Sequence, residues 1–213
     1  MGEPDVPSPI DLRDPTDARA WERAAQARPG RAEMFQAFLT ELRRIDGSDL
    51  KVLELGSGPG FLAEFLLAKL PALELTLLDF SPAMHELARA RLGDANRISY
   101  LERSFKDPDW ARNLGPFDAV ITNQAVHELR HKRYANALHA RVARILKSGA
   151  SYLVCDHFFG EGGMRNDELY MTIEEQRRAL LEASFRSVEL VCRSGTLVMH
   201  RATQHTANTD HDG

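Results

Sequence analysis

What the sequence has little of excludes several classes of protein. Its two cysteines, Cys155 and Cys192, stand in apolar runs without C-x-x-C spacing or a matching histidine cluster, so we expect reduced core thiols. No apolar run approaches the length of a membrane-spanning helix, which argues against a membrane protein. The first fifteen residues lack the basic and apolar regions of a secretory signal. We therefore expect a cytoplasmic protein.

An excess of positive charge is also missing. Lys and Arg number 27 against 31 Asp and Glu, which gives a formal net charge of -4 at neutral pH. No dense basic cluster marks a surface that would follow a phosphate backbone, so we do not expect nucleic acid as a partner. A length of 213 residues with 43% hydrophobic and 27% charged residues suits one globular α/β domain, as monomer or homodimer.

Helical and strand periodicities alternate along the chain. Two helical patterns broken at Pro29-Gly30 come first, and we assign residues 16–48 to N-terminal helices that cover the active site. The elements predicted after them are strands at 51–55, 73–78, 97–101, 117–122 and 151–156, with helices at 61–70, from the cap Ser81, and around 134–146. This alternation predicts a parallel sheet covered by helices on both faces.

The last part of the chain follows a different pattern. Thr172-Ile-Glu-Glu175 is a capping box that opens a helix, and two strand patterns around Ser194-Gly195 then predict a β-hairpin. Residues 1–15 are rich in Pro and Asp, and residues 202–213 are polar with nothing to bury, so we expect disordered tails at both ends. The main domain is accordingly assigned to residues 49–201.

Three glycines mark the turn from the first strand into its helix, in the segment Leu53-Glu-Leu-Gly-Ser-Gly-Pro-Gly60. Glycine tolerates positive φ and lets a ligand approach the backbone, and the following helix offers unpaired N–H groups. Asp79 falls at the end of the next strand, and its carboxylate has two oxygens suited to adjacent hydroxyl donors. The pattern favours a ligand crevice at the strand ends over a tight turn without a ligand.

On these residues the chain resembles the class I S-adenosylmethionine-dependent methyltransferases, from about Leu50 to Arg201. The resemblance implies S-adenosylmethionine as cofactor and an α/β Rossmann-like, doubly wound fold. Its seven-stranded sheet would be mostly parallel with an antiparallel C-terminal hairpin strand, in three α/β/α layers. The implied cofactor-binding residues are Glu54, Gly56, Ser57, Gly58 and Gly60 in the first motif, Asp79 on the ribose, Phe80 and Met84 against the adenine, Ser104 and Phe105 after the third strand, and Asn123 and Gln124 near the methionine portion.

Two features leave alternatives open. Ser104 stands where family members commonly carry Asp, which weakens the implied contact to the adenine amino group. The segment from Gly58 through Gly60 to Ala63 also satisfies the G-x-G-x-x-A pattern of nicotinamide dehydrogenases, with Asp79 at about the expected distance. The alternatives to a methyltransferase are thus an NAD(P)-dependent oxidoreductase and a non-catalytic S-adenosylmethionine-binding protein.

The acceptor side of the site is predicted from fewer signals. His127 follows the fourth strand, where small-molecule members of the family often place a pocket-facing histidine, and we assign it a catalytic role over a packing role. His157 is a weaker candidate by similar topology. A magnesium site would need carboxylates at the ends of strands four and five, where only Asp156 is well placed, so we expect no metal.

The predicted substrate is a small organic molecule that accepts the methyl group on an undetermined atom (O, N, C or S). Asn123 is followed by Gln-Ala-Val and not by the Pro-Pro-aromatic arrangement with which family members grip an amide or exocyclic amine. Apolar side chains outside the shared core are candidates to roof the acceptor pocket. They are Trp21, Phe35, Phe158, Phe159, Met164 and Tyr170.

Overall fold

The computed structural model describes residues 4–26, 30–47 and 49–205. The helices are α1 (Pro15–Gln26), α2 (Arg31–Leu42), α3 (Phe61–Lys69), α4 (Pro82–Leu92), α5 (Ala135–Ile145) and α6 (Ile173–Glu182). The strands are β1 (Lys51–Leu55), β2 (Glu74–Asp79), β3 (Ile98–Glu102), β4 (Phe117–Asn123), β5 (Leu146–His157), β6 (Ser187–Ser194) and β7 (Leu197–Thr203). Two short 3-10 helices, Val126–Leu129 and Lys132–Tyr134, precede α5. Within these ranges, no helix is long and apolar enough to cross a membrane.

The strands form one seven-stranded sheet in the order β3-β2-β1-β4-β5-β7-β6. Pairing is parallel from β3 to β5, and β7 lies antiparallel to both β5 and β6. The predicted mostly parallel sheet with an antiparallel C-terminal hairpin strand is confirmed.

Apolar side chains lie on both faces of the sheet because successive residues of a strand point to opposite sides. Leu53 of β1 packs in a core with Leu138 of α5 and Leu180 of α6. Val52, its neighbour, packs in a second core on the other face with residues of α2 and α3. Strands buried on both faces read as nearly continuous hydrophobic runs, and two cores with helices outside them make the predicted three layers.

The strand order reverses next to β1, because the chain moves outward through β2 and β3 and then returns to place β4 on the other side. A crevice forms at the carboxyl ends of the strands where such a reversal occurs, and ligands of open α/β sheets bind there. The glycine-rich turn after β1 and the segment after β4 both lie at this point.

Residues 4–14, named here the N-terminal strap, differ from the predicted disordered tail. The Val6 N–H donates to the Arg130 carbonyl over 2.8 Å, and the Ser81 hydroxyl donates to the Leu12 carbonyl. These partners come from more than 60 residues away, so a local composition argument does not find them. Residues 1–3 lie outside the described residues.

The predicted C-terminal tail begins slightly too early. Strand β7 continues to Thr203, the Gln204 N–H donates to the Ala150 carbonyl over 2.9 Å, and the Gly149 N–H donates to the His205 carbonyl over 3.0 Å. The first part of the long strand β5 supplies these partners, so Gln204 and His205 join the sheet through their backbone. Residues 206–213 lie outside the described residues.

Candidate active site

The glycine-rich turn is held against the end of β2. The N–H groups of Gly56 and Ser57 both donate to the Leu78 carbonyl, over 2.8 and 3.1 Å. Gly56 has φ +67°, and a Cβ there would lie 2.3 Å from the Ala125 side chain. Gly58 has φ +53°, and among the described residues no atom lies within 4 Å of where its Cβ would stand. The turn therefore approaches the β4 segment closely at Gly56 and leaves open space at Gly58.

Asp79 ties this turn to the end of β2. Its Oδ2 accepts the Gly58 N–H over 2.8 Å, and its Oδ1 accepts the Ser81 N–H over 2.9 Å. Burial raises the pKa of Asp79, while these backbone hydrogen bonds act in the opposite direction. A carboxylate has about four lone-pair sites, so Asp79 can still accept hydrogen bonds from a ligand in the adjacent cleft.

Glu54 lies beside Asp79 and is kept neutral. Burial, with the charge of Asp79 as a second cause, raises the pKa of Glu54 to about 8. At pH 7 its carboxyl is therefore mostly protonated, which removes a negative charge from beside Asp79. Glu54 Oε2 has no hydrogen-bond partner among the described residues.

A cleft of about 750 Å³ opens in front of the turn and of Asp79. Its cofactor half, as we name it, is the part formed by the turn and by the residues that follow β2, β3 and β4. The predicted residues that line it there are Glu54, Gly56, Ser57, Gly58, Asp79, Phe80, Met84, Phe105, Asn123 and Gln124. Besides Glu54 Oε2, two buried polar atoms in this set, Ser57 Oγ and Asn123 Oδ1, have no hydrogen-bond partner among the described residues. Open space and spare polar atoms suit a ligand with several hydrogen-bonding groups.

His127 lines the same cleft and is held in place by hydrogen bonds to Asp156 at the end of β5. Its Nδ1–H donates to Asp156 Oδ1 over 2.6 Å, and its backbone N–H donates to Asp156 Oδ2 over 2.8 Å. Two bonds to one carboxylate set the direction of the ring, so that Nε2 points away from Asp156. Nε2 lies 3.4 Å from Glu128 Oε1.

The carboxylates around His127 decide its charge. Burial opposes protonation, but the charge and hydrogen bond of Asp156, together with Glu128, outweigh it and raise the pKa of His127 to about 10. Despite burial, the same interactions hold the pKa of Asp156 and of Glu128 below their usual values. At pH 7 the three groups therefore form an imidazolium between two carboxylates. These surroundings therefore do not make His127 a base of near-neutral pKa.

The outer part of the cleft, named here the acceptor half, is formed by His127 with several distant segments. The rings of His157 and Tyr170 lie 5.6 and 5.4 Å from the His127 ring, centroid to centroid. His157 Nδ1 shares a hydrogen bond of 2.7 Å with the Thr196 hydroxyl. The other residues that line this half are Val6, Pro7, Ser8, Pro9, Ile10, Leu12, Trp21, Arg31, Phe35, Glu128, Arg130, Met164, Asn166 and Leu169.

Comparisons with known proteins agree with this geometry. The model of a family described as "Methyltransferase domain" matches residues 52–149. A malonyl-[acyl-carrier protein] O-methyltransferase of Acetivibrio thermocellus is 31% identical over 148 residues, which cover 70% of this chain and 48% of that protein. The chain thus spans about half the length of this curated relative.

Solved structures show the same fold. An O-methyltransferase family protein from Burkholderia thailandensis superposes with a TM-score of 0.71 at 16% identity, over 92% of this chain and 62% of that one. Human N-acetylserotonin methyltransferase, solved in complex with SAM, gives 0.69 at 20% identity, over 92% and 58%.

Residues 52–149 therefore belong to a methyltransferase domain, and the sheet around them has the fold of the solved methyltransferases. The nicotinamide-dehydrogenase alternative finds no support in these comparisons. The glycine on which it depends, Gly60, does not line the cleft. Gly60 is instead the cap of α3, where a Cβ would stand 3.0 Å from Leu92 and 3.3 Å from Ala88 of α4. It allows two helices of the methyltransferase domain to pack closely.

Ser104 is the other predicted site residue that does not line the cleft of the methyltransferase domain. Its hydroxyl accepts the Lys106 N–H over 3.3 Å, in a local turn, while the neighbouring Phe105 side chain is buried at the cleft. Of the predicted roof residues, Phe158 and Phe159 also lie outside the lining, whereas Trp21, Phe35, Met164 and Tyr170 belong to it. Composition alone therefore does not determine which of these residues face the cleft.

Arg130 and the strap were missed by sequence reasoning. Arg130 adopts φ +66° directly after a 3-10 helix, and no periodicity marks it. Its neighbour Glu128 stood in the motif around His127 without an assigned role. In the described part of the chain, no group of three or more His, Cys, Asp or Glu side chains is arranged to hold a metal ion.

Proposed function

We propose that this methyltransferase domain binds S-adenosylmethionine in the cofactor half of the cleft and transfers its methyl group to an oxygen of a small organic acceptor. The observation that carries the proposal is the Asp79 carboxylate, which is fixed by the N–H groups of Gly58 and Ser81 at the edge of an open glycine turn. Its remaining lone pairs suit two adjacent ribose hydroxyls.

Other residues of the cofactor half fit the remaining parts of this ligand. Phe80, Met84 and Phe105 provide apolar surface for the adenine, in agreement with the sequence resemblance. The buried and unpartnered Ser57 Oγ and Asn123 Oδ1 can take the polar groups of the methionine portion. The bound sulfonium would supply an electrophilic methyl group, and the protein's contribution to an in-line displacement is mainly to align the acceptor with it.

The charge of His127 favours oxygen over nitrogen as the accepting atom. An imidazolium donates a hydrogen bond through Nε2, and an acceptor oxygen that carries negative charge keeps further lone pairs for attack. A neutral amine has one lone pair, and the same hydrogen bond would occupy it. Because Glu128 Oε1 also lies 3.4 Å from Nε2, we propose that the acceptor oxygen shares the Nε2–H with Glu128, while Asp156 fixes the ring.

The apolar walls of the acceptor half support a small organic acceptor, and we propose one that is at least partly aromatic. Trp21, Phe35 and Tyr170 line this half and offer flat surfaces. A cytoplasmic location, a monomer or homodimer, and the absence of nucleic acid among the partners remain predictions from composition and charge.

Isothermal titration calorimetry tests the cofactor assignment without knowledge of the acceptor. We expect S-adenosylmethionine and S-adenosylhomocysteine to bind at micromolar levels, about -8 kcal/mol, and NAD or NADP to give no heat. Screening phenols, carboxylic acids and amines for uptake of labelled methyl then tests the acceptor class. Binding of a nicotinamide dinucleotide in place of S-adenosylmethionine would overturn the proposal, and methylation of amines alone would overturn the role given to His127.

A further inference from the structure

Arg130 lies between the N-terminal strap and the acceptor half of the cleft. Its Nε and Nη2 donate to the carbonyls of Val6 and Pro7, over 3.0 and 2.6 Å. Its own carbonyl accepts the Val6 N–H. The residue adopts the left-handed region, which an ordinary side chain occupies only where its contacts hold it. The guanidinium is thus committed to the strap.

The same guanidinium reaches toward the proposed catalytic histidine. Arg130 Nη1 lies 3.6 Å from Glu128 Oε2, and Glu128 Oε1 lies 3.4 Å from His127 Nε2. His127 is in turn bonded to Asp156. An unbroken chain of polar contacts therefore runs from the backbone of Val6 and Pro7 to His127.

The strap has a second attachment, which is weaker. Asp5 contacts Arg133 at 3.0 Å, the Tyr134 hydroxyl at 2.9 Å and Lys106 at 3.8 Å, but its side chain is 44% exposed. Arg130 is 9% exposed. Exposed ion pairs contribute little because water and salt screen them, whereas buried hydrogen bonds from a charged group are costly to lose. Arg130 is therefore the main anchor of strap residues 5–7, while the buried Ser81 hydroxyl holds Leu12 at the other end of the strap.

We propose that Arg130 is a positioning residue that couples the seating of the N-terminal strap to the placement of Glu128 against His127. With the strap seated, Arg130 is held by two carbonyls and in turn holds Glu128 beside the imidazole. When the strap leaves, Arg130 loses its fixed position, and Glu128 is released with it. Strap residues 6–10 line the cleft, so closure over an acceptor and alignment of the histidine pair occur together. The catalytic part of this inference rests on the proposed function.

The titration of His127 reports the coupling, since Glu128 is one of the groups that raise its pKa. Charged and titratable groups face His127 from several elements. They are Asp156 and His157 at the end of β5, Glu128 and Arg130 on its own segment, Tyr170 from the loop before α6, and Lys132 and His139, which line a small pocket beside the ring.

A double-mutant cycle on the full chain tests the proposal. Val6→Pro removes the N–H that donates to Arg130 and changes no charge, whereas Val6→Ala keeps that N–H and is its control. Arg130→Gln removes the guanidinium. Arg141→Gln is its control, because Arg141 also donates to a backbone carbonyl, that of Pro108, away from the cleft.

Two measurements are made on each variant: backbone hydrogen exchange of residues 4–12 by mass spectrometry, and the pH titration of the His127 ring by NMR. We expect strap exchange to accelerate about tenfold or more in Val6→Pro and in Arg130→Gln, and about twofold or less in the controls. The His127 midpoint should fall by roughly half a pH unit or more, a threefold change in proton affinity, in both variants. Val6→Pro should add no further shift in the Arg130→Gln background.

Three results would overturn the proposal. The first is unchanged hydrogen exchange of the strap in Arg130→Gln, and the second is additive shifts of the His127 midpoint when Val6→Pro and Arg130→Gln are combined. The third is a rise of that midpoint in Arg130→Gln, which would mean that Arg130 acts on His127 only through its positive charge. Neither measurement requires cofactor or acceptor. Loss of S-adenosylhomocysteine binding in calorimetry would contradict the proposed function and leave the coupling result intact, so the two failures are distinguishable.

Discussion

The cofactor half and the acceptor half of the cleft are built in different ways. Most of the cofactor half comes from one β-α-β unit, residues 51–79 with the start of α4, in which the backbone of a glycine turn is tied to one carboxylate. The acceptor half is formed by residues of the strap, α1, α2, the segment after β4 and the loop before α6.

The two halves also handle buried charge differently. In the cofactor half, Glu54 takes up a proton beside Asp79, and neutralisation removes the repulsion between them. In the acceptor half, opposite charges are paired, His127 with Asp156 and Arg130 with Glu128. Neutralising a carboxyl group requires only that it is buried beside another carboxyl group. Pairing a buried charge needs a partner of opposite charge close by, and the partner of His127, Asp156, comes from a neighbouring strand.

The largest effect should come from the acceptor half. We expect His127→Ala to lower turnover by roughly 100-fold or more, within the range found for groups that act on the reacting atoms, while S-adenosylmethionine affinity changes less than about threefold. Steady-state kinetics and calorimetry measure the two effects separately. An equal loss in cofactor affinity would show that His127 belongs to the cofactor half, and the two halves would then not be functionally separate.

His157→Ala is the matched control, because it removes a second histidine from the cleft wall without touching Asp156 through a side-chain bond. We expect a smaller loss of turnover than in His127→Ala.

The pH dependence of wild-type turnover should show no inflection near pH 6.5 from His127, because its raised pKa of about 10 keeps the ring charged below that value. A bell-shaped profile centred on a histidine of ordinary pKa would contradict the charge pairing.

The next effect belongs to the cofactor half. Asp79→Ala removes the carboxylate that fixes the turn, and we expect a loss of roughly 2 to 3 kcal/mol in S-adenosylhomocysteine binding, a factor of about 30 to over 100. Asp79→Asn should lose less, because its carbonyl still accepts one bond. Calorimetry decides. If Asp79→Ala binds like the wild type, the cofactor is not held at this turn.

Glu54→Gln tests whether neutralisation operates beside Asp79. The folded state binds the Glu54 proton more tightly than the unfolded state does, because the pKa is about 8 in the fold and 4.5 in the unfolded chain. The resulting stability is fully present below pH 4.5 and is lost as pH rises through about 8. Glutamine does not titrate, so the stability of Glu54→Gln relative to wild type should improve by roughly 2 kcal/mol between pH 5 and 7. Urea unfolding at the two pH values measures this. A constant difference would mean that Glu54 is ionised in the fold.

The smallest effect is expected at Ser104. Because its side chain bonds within a local turn and does not line the cleft, Ser104→Asp should change S-adenosylhomocysteine affinity by less than about threefold. Calorimetry against wild type is sufficient. A tenfold gain would show that the adenine lies closer to residue 104 than the cleft geometry indicates, and it would enlarge the cofactor half.

Sequence patterns were sufficient for the parts that depend on neighbours in the chain. Strand β1, the glycine turn, the Ser81 cap of α4, the Thr172–Glu175 capping box and the C-terminal hairpin all lie where periodicity and turn chemistry predict them. The packing role of Gly60 was not predicted, since it depends on α4.

The sequence by itself determined the order of the elements, the alternation that buries both faces of the sheet, and the position of Asp79 next to a turn of glycines. These features follow from local propensity and periodicity, which act over a few residues. The tertiary structure decided the charge of His127, because its partner Asp156 lies 29 residues away on an adjacent parallel strand. It also decided that the polar strap would seat on Arg130, more than 120 residues distant, since hydrogen bonds between such segments exist only after the sheet has brought them together.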